Sequence, residues 1–146
     1  GAEIINMSFA GPDSNAWRGA LAAGAGGGVV MVGASGNDRA RQIGFPASAE
    51  QVVAVDAVDA ARRRFRLANI GAENEFSAPG VDVYAARERG GGFAAPIVTA
   101  LMAREMARGT SGDAALRAAL RNGAEALGGV RRSAEFGWGL ARSTSC

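Results

Sequence analysis

Two glycine-rich segments are the places where this sequence could carry chemistry. The first, "GASGNDR" at residues 33–39, follows an apolar run and contains Asn37. The second, "RGGGFAAPIVTA" at residues 89–100, places Pro96 where a first helical turn tolerates proline. Three glycines stand at the entrance of that helix, where a reactive side chain would be expected. The elements around these segments must explain what each one does.

The loop at residues 33–39 has three interpretations. It is a plain glycine-rich turn, or a phosphate cradle, or a loop whose Asn37 amide donates a hydrogen bond to a developing oxyanion. The phosphate interpretation is weak, because the segment lacks the G-x-G-x-x-G spacing, a Walker lysine and a helical pattern after it. Its place at the end of a predicted strand is where open α/β sheets bind ligands.

The residue inventory excludes several kinds of chemistry. The 146 residues include no histidine, so this chain alone cannot supply a Ser-His-Asp or Cys-His relay, and it lacks the commonest metal ligand. Its single cysteine, Cys146, cannot form an internal disulfide. We therefore expect neither a metal nor a cofactor.

Composition indicates one globular domain covering residues 1–146. Apolar residues make up 48% of the chain and charged residues 21%, and no apolar run is long enough to span a bilayer. The net charge is +2, with arginines scattered except in "RRRFR" at residues 62–66, which we interpret as a solvated loop. We expect no nucleic-acid partner and no membrane partner.

The periodicity predicts an α/β fold with a largely parallel sheet flanked by helices. Short apolar runs rich in β-branched residues indicate buried strands, and a β-α-β order implies a parallel pair with a right-handed crossover. The predicted strands are residues 3–9, 28–34, 51–58 and 81–86, with a turn at "SAPG" before the last. The predicted helices are residues 15–25, with Asp13 or Ser14 as N-cap, 95–108 and 113–127.

Read together, six segments resemble the C-terminal half of the subtilisin-like serine peptidases. In chain order they are "INMSFAGP", "VVMVGASGN", "GFPASAEQVVAVDAVD", "FSAPGVDVYAA", "FAAPIVTALMA" and "FGWGLA". The resemblance extends from Ile4 to about Leu140, and the order of the segments carries it. It implies a subtilisin-like fold, a peptide or protein substrate and, since the family is commonly exported, a secreted or periplasmic location.

The resemblance also implies roles for individual residues. One group matches the strand that pairs with substrate backbone and forms one wall of the specificity pocket: Ser8, Phe9 and Ala10. A second group matches the opposite wall: Ala34, Ser35 and Gly36. Asn37 matches the side-chain donor of the oxyanion hole.

The nucleophile position is where this sequence departs from the family. Subtilisin-like peptidases have Gly-Thr-Ser before the equivalent of "FAAP", whereas this chain has three glycines, so that Gly92 stands where the nucleophilic serine would be. The segment from Gly80 to Phe93 is also several residues shorter. The family's catalytic Asp and His lie in the N-terminal half, before the region represented by Gly1, so the resemblance implies an incomplete fold without its triad.

Three hypotheses follow. We favour the C-terminal portion of a subtilisin-like endopeptidase domain, which keeps the substrate groove and Asn37 but is catalytically incompetent. The second is a non-catalytic pseudopeptidase that binds a peptide or a partner protein, and the third is a small-molecule or phosphate-binding α/β domain. Because the missing half would complete the sheet, we also expect the strand at Ile4–Phe9 or a neighbour to pair with a complementary N-terminal fragment or to self-associate.

Overall fold

The strands and helices follow the chain order of an α/β protein. The computed structural model describes residues 1–85, 88–90 and 93–143. Its strands are β1 Ile4–Met7, β2 Val30–Ala34, β3 Val52–Val58, β4 Asn74–Pro79, β5 Val83–Ala85 and β6 Glu88–Gly90. Its helices are α1 Asn15–Gly26, α2 Ala94–Ala107 and α3 Asp113–Gly123.

A parallel sheet of four strands, in the order β1-β2-β3-β4, forms the centre of the molecule. Met7 pairs with Gly33 and Ala34 pairs with Val55, so these strands end side by side. The α/β class with a parallel sheet is therefore confirmed. β1 is one edge strand of this sheet, and the loops that follow β1 and β2 lie next to each other at the carboxyl ends of these strands.

Both faces of the sheet are buried, as the apolar runs predict. One face packs against α2 and α3, whose fully buried side chains are Val98, Met102, Leu116 and Leu120. The opposite face packs against Leu21 of α1 and against Ile43 and Phe45. Burying an apolar side chain of this size contributes about 1.5–3 kcal/mol, so the two clusters fix the strands that carry the loops.

One part of the strand prediction was wrong: residues 74–79 form β4, although a turn was expected at residues 77–80. The strand predicted at residues 81–86 is present as β5, but it forms an antiparallel pair with β6 outside the main sheet. The outer edge of β4 is covered by a later segment of the chain. There Ser77 donates its N–H to Gly139 at 2.8 Å and accepts one from Ala141 at 2.8 Å.

The helices begin where the sequence indicates but do not all end there. Ser14 caps α1 by accepting the N–H of Trp17, and the side chain of Trp17 is 42% exposed. The helix predicted at residues 113–127 stops at Gly123. It stops because Glu125 exchanges two backbone hydrogen bonds with Leu140, which requires extended backbone. None of the described helices is long and apolar enough to cross a membrane.

Candidate functional site

The predicted site residues lie in the loops that follow β1 and β2. Because Met7 pairs with Gly33, the segments 8–10 and 34–36 leave the sheet side by side. They meet at Gly44, which donates its N–H to the carbonyl of Ser35 at 2.8 Å. A Cβ added at Gly44 would lie 3.1 Å from Cβ of Ala10 and 3.4 Å from the Ser35 oxygen.

Asn37 lies beside the beginning of α2. A small pocket is lined by residues 34–37, by residues 55–57 of β3 and by Ala94 and Ala95 of the first turn of α2. Its volume of about 10 Å³ is room for about one water molecule. Asn37 and Ala94, which are far apart in the sequence, therefore line the same pocket.

The start of α2 and the Asn37 amide bring partial positive charge to this pocket, which the carboxyl of Asp56 also lines. The first-turn N–H groups of α2 have no partner within the helix, and its N-cap, Phe93, makes no side-chain capping bond. The helix dipole places partial positive charge at this end. An exposed Asn37 amide beside it adds a side-chain donor, so the arrangement can bind a carboxylate or a polarised carbonyl oxygen.

Several of the other predicted site residues do not line the pocket of Asn37. Ser8, Phe9 and Ala10 are exposed and do not line the pocket of Asn37; Phe9, 47% exposed, packs its ring against Trp17 at 5.8 Å between centroids. Ser35 is buried. The position predicted to replace the nucleophile, Gly92, lies outside the described residues.

Sequence reasoning missed a buried asparagine that holds the loop carrying Asn37. Asn69 is 1% exposed, and its Oδ1 accepts the N–H of Asp38 at 2.9 Å and that of Ala40 at 3.0 Å. Its Nδ2 donates to the carbonyl of Ser35 at 3.2 Å. A side chain at Gly36, where φ is +100°, would collide with Nδ2 of Asn69. The segment "LANIG" contains no periodic signal that would have revealed these contacts.

A buried carboxyl, Asp56, also lines the pocket of Asn37, and sequence reasoning missed it. It is 2% exposed; Oδ1 accepts the N–H of Ala57 at 2.6 Å, whereas Oδ2 has no hydrogen-bond partner in the described part of the chain. Burial raises the pKa of Asp56 to about 7, against the opposing effects of the Ala57 N–H and the charge of Arg64. Side chains alternate along a strand, so its carboxyl faces away from the apolar side shared by Val55 and Ala57. The single acid within "VVAVDAV" was the available signal.

Other polar groups of the described residues form no comparable site. No cluster of three potential metal-ligating side chains occurs within residues 1–85, 88–90 and 93–143. In the arginine-rich loop, Arg62 pairs with Glu125 and Arg63 with Asp59, while Arg64 donates to the carbonyl of Ala68. These contacts tie the loop to the protein itself.

Comparison with known proteins agrees with the fold and with the order of its loops. A family model described as the subtilase family matches residues 1–139. Subtilisin DY of Bacillus licheniformis is 42% identical over 89 residues, which cover 58% of this chain and 32% of that protein. The minor extracellular protease Epr of Bacillus subtilis strain 168 is 32% identical over 148 residues, which cover 94% of this chain and 23% of that protein.

A solved structure extends the comparison to three dimensions. The structure of the prenylagaramide maturation protease PagA matches with a TM-score of 0.79 and 26% sequence identity, covering 97% of this chain and 60% of the PagA chain. The match thus spans about a quarter to a third of the two curated relatives and 60% of PagA. With a family match over residues 1–139 and the same fold as a solved protease, this chain belongs to the subtilase family.

Proposed function

We propose that this chain carries the substrate groove and the oxyanion-binding asparagine of a subtilisin-like endopeptidase domain, and that it binds peptides without hydrolysing them. One observation carries the proposal: Asn37 lines the same small pocket as Ala94 and Ala95 at the start of α2. Donors that stabilise an oxyanion must converge on one point about 3 Å away. The shared lining of this pocket by Asn37 and the first turn of α2 supports such a convergence.

The groove would lie along the segments that follow β1 and β2. Residues 8–10 are exposed, so an extended peptide could form main-chain hydrogen bonds with them. Ala34, Ser35 and Gly36 are small, which leaves room on the opposite side for a substrate side chain. The ligand class is therefore a peptide or an unfolded protein segment.

The absence of hydrolysis follows from the residue inventory. No histidine occurs in the 146 residues, and the order of the family segments places Gly92 at the nucleophile position. A glycine cannot attack a carbonyl, and no imidazole is present to remove a proton. We expect neither hydrolysis of peptides or esters above background nor labelling by serine-directed phosphonates, and stoichiometric phosphonate labelling would contradict this part of the proposal.

A second candidate function, a non-catalytic pseudopeptidase that binds a partner protein, is favoured by the edge of the sheet. In the described sheet β1 pairs with β2 alone, so its other side presents backbone N–H and C=O groups. Ile5, Phe9 and Trp17 nearby are each more than 40% exposed. A complementary N-terminal fragment or a second copy of this chain could add a strand there.

Peptide binding can be tested with two ligands that differ only at the reacting end. The probes are a blocked tri-alanyl-phenylalanine with a free carboxylate and the same peptide as an amide, titrated by NMR. We expect the carboxylate to bind about tenfold tighter, since hydrogen bonds to charged groups contribute about 1.5–3 kcal/mol. Asn37→Ala should remove that preference, whereas Asn122→Ala, an exposed asparagine on α3, should not.

The outcomes separate the two halves of the proposal. If neither peptide binds, the groove is not a peptide site. If both bind equally well before and after Asn37→Ala, the groove binds peptides but Asn37 is not the oxyanion donor.

A further inference from the structure

The loop that carries Asn37 has an unusual backbone. Gly36 has φ of +100° and Arg39, which is not a glycine, has φ of +57°. Left-handed backbone at a residue such as arginine is uncommon and persists where the surroundings impose it. The two residues flank Asn37 at a distance of one and two positions, so whatever imposes this conformation also sets the direction of the Asn37 side chain.

One residue, Asn69, makes four of the hydrogen bonds that hold this loop, and backbone bonds between Arg39 and Leu67 and between Ile70 and Ala40 add to them. Asn69 spans the loop with four hydrogen bonds. Its side chain accepts the N–H groups of Asp38 and Ala40 and donates to the carbonyl of Ser35, and its own N–H donates to the carbonyl of Gly36 at 3.0 Å. The partners lie on both sides of Asn37. Because Asn69 is 1% exposed, water cannot readily replace these bonds.

The fit between Asn69 and the loop is close. A Cβ at Gly36 would collide with the Nδ2 atom that donates to Ser35. A shorter side chain at position 69 could not reach three backbone groups at once, and a non-amide side chain of similar size lacks either the donor or the acceptor. The amide of Asn69 supplies both from one planar group.

From these contacts we propose that Asn69 is the positioning residue of the oxyanion site: it holds residues 35–40 in the one backbone conformation that presents Asn37 to the pocket at the start of α2. The inference rests on the proposed function for its role in ligand binding. We call the hydrogen bonds from Asn69 to residues 35–40 the Asn69 clamp. Whether this clamp holds the loop can be tested without any ligand.

Hydrogen exchange tests the clamp directly. In Asn69→Ala the amides of Asp38 and Ala40 lose their acceptor, and we expect their protection to fall by about tenfold or more relative to amides of β3. Asn69→Asp keeps acceptor oxygens and loses the donor to Ser35, so protection of both amides should be retained. The matched control is Asn74→Ala. Asn74 is equally buried and bonds to the Ser35 hydroxyl and the Glu135 carbonyl, but to none of residues 36–40.

The outcomes decide the proposal in each case. Loss of protection at Asp38 and Ala40 in Asn69→Ala, with retention in Asn69→Asp and in Asn74→Ala, supports it. Unchanged protection in Asn69→Ala, or an equal loss in Asn74→Ala, overturns it. If Asn69→Ala does not fold, Asn69→Leu, which keeps the size of the side chain and removes the acceptor, takes its place: loss of protection of the two amides supports the clamp, and unchanged protection overturns it.

A second readout links the clamp to binding. The preference for the peptide carboxylate over the peptide amide should fall about tenfold in Asn69→Ala, and Asn37→Ala should then have no additional effect, because both changes remove the same donor. A full additional loss in the double variant overturns the positioning role. If the wild-type chain shows no preference at all, the proposed function fails while the exchange experiment still tests the clamp.

Discussion

Replacing Asp56 by asparagine should remove a pH dependence from the stability of this chain. The carboxyl is 2% exposed, and one of its oxygens has no hydrogen-bond partner among the described residues. Burial raises its pKa from 3.8 to about 7; the nearby charge of Arg64 opposes the rise and that of Glu135 adds to it. The folded chain therefore holds a proton near neutrality that the unfolded chain releases at about pH 4.

The sign and the magnitude follow from that difference. Because its pKa is raised, the Asp56 carboxyl binds more protons in the folded state than in the unfolded state between about pH 4 and pH 7. The contribution of this group to stability therefore decreases as the pH rises through that window and is lost above pH 7. From pH 5 to pH 7 the loss is two pH units at about 1.36 kcal/mol each, or about 2.7 kcal/mol. Asparagine mimics the neutral carboxyl, so the stability of Asp56→Asn does not fall in this way. The free energy of unfolding of Asp56→Asn relative to the wild type should therefore increase by about that amount as the pH rises from 5 to 8.

Urea unfolding at pH 5, 6, 7 and 8 measures this difference. Subtracting the variant from the wild type cancels the titration of all other groups to first order. Glu3→Gln, which removes an exposed carboxylate instead of a buried one, is the matched control. Parallel curves for Asp56→Asn and wild type, within about 0.5 kcal/mol across the range, would refute the reasoning and mean that Asp56 is ionised in the folded chain at pH 5.

Three further predictions concern the edge of the sheet, an ion pair and a glycine. Light scattering should show concentration-dependent self-association, weakened by Ile5→Lys because an edge lysine opposes strand pairing; a monomer at all concentrations would contradict the open edge. Glu75→Ala should lower the free energy of unfolding by about 3 kcal/mol, because the Glu75 carboxylate is 7% exposed and pairs with two arginines of α3. Asp13→Ala, which breaks an exposed ion pair, should lower it by less than about 1 kcal/mol. Equal losses would contradict this ranking. Gly139→Ala should prevent stable folding, measured by circular dichroism, because its Cβ would collide with the backbone of residue 125. Gly109→Ala, with a similar positive φ but open space around it, should lower the free energy of unfolding by about 1 kcal/mol. Equal effects would show that backbone strain at positive φ, and not the collision, decides the outcome.

How far the sequence predicts this molecule depends on whether the decisive contacts are local. The strand at residues 51–58 follows from its apolar run, and the helix at Asn15 follows from its cap at Ser14. The helix at Ala94 follows from apolar periodicity and the position of Pro96, and the structure confirms all three. The strand β4 was missed because Asn74, Glu75 and Ser77 make it polar. These side chains are tolerated inside because arginines of α3 and the chain beyond residue 132 provide their partners.

The same distinction applies to the candidate site. Asn37 could be singled out from the order of neighbouring segments. Asn69 could not, because its partners at residues 35–40 are about 30 positions away and nothing in its own surroundings marks it. The roles of Ser8, Ala34 and Gly92 stay predictions, and the structure adds the placement of the first two beside one another at the ends of β1 and β2.

The covering of β4 by residues 139–141 limits how large an assembly of this chain could become. A sheet that exposes both outer strands can accept a neighbour on each side and grow into a fibre. Here Ser77 of β4 already has its backbone partners within the chain, and β1 offers its free side at the opposite end. Two copies that pair β1 against β1 about a twofold axis would each use the same edge and leave no further open edge of the described four-stranded sheet for a third. Association through this edge should therefore stop at a dimer.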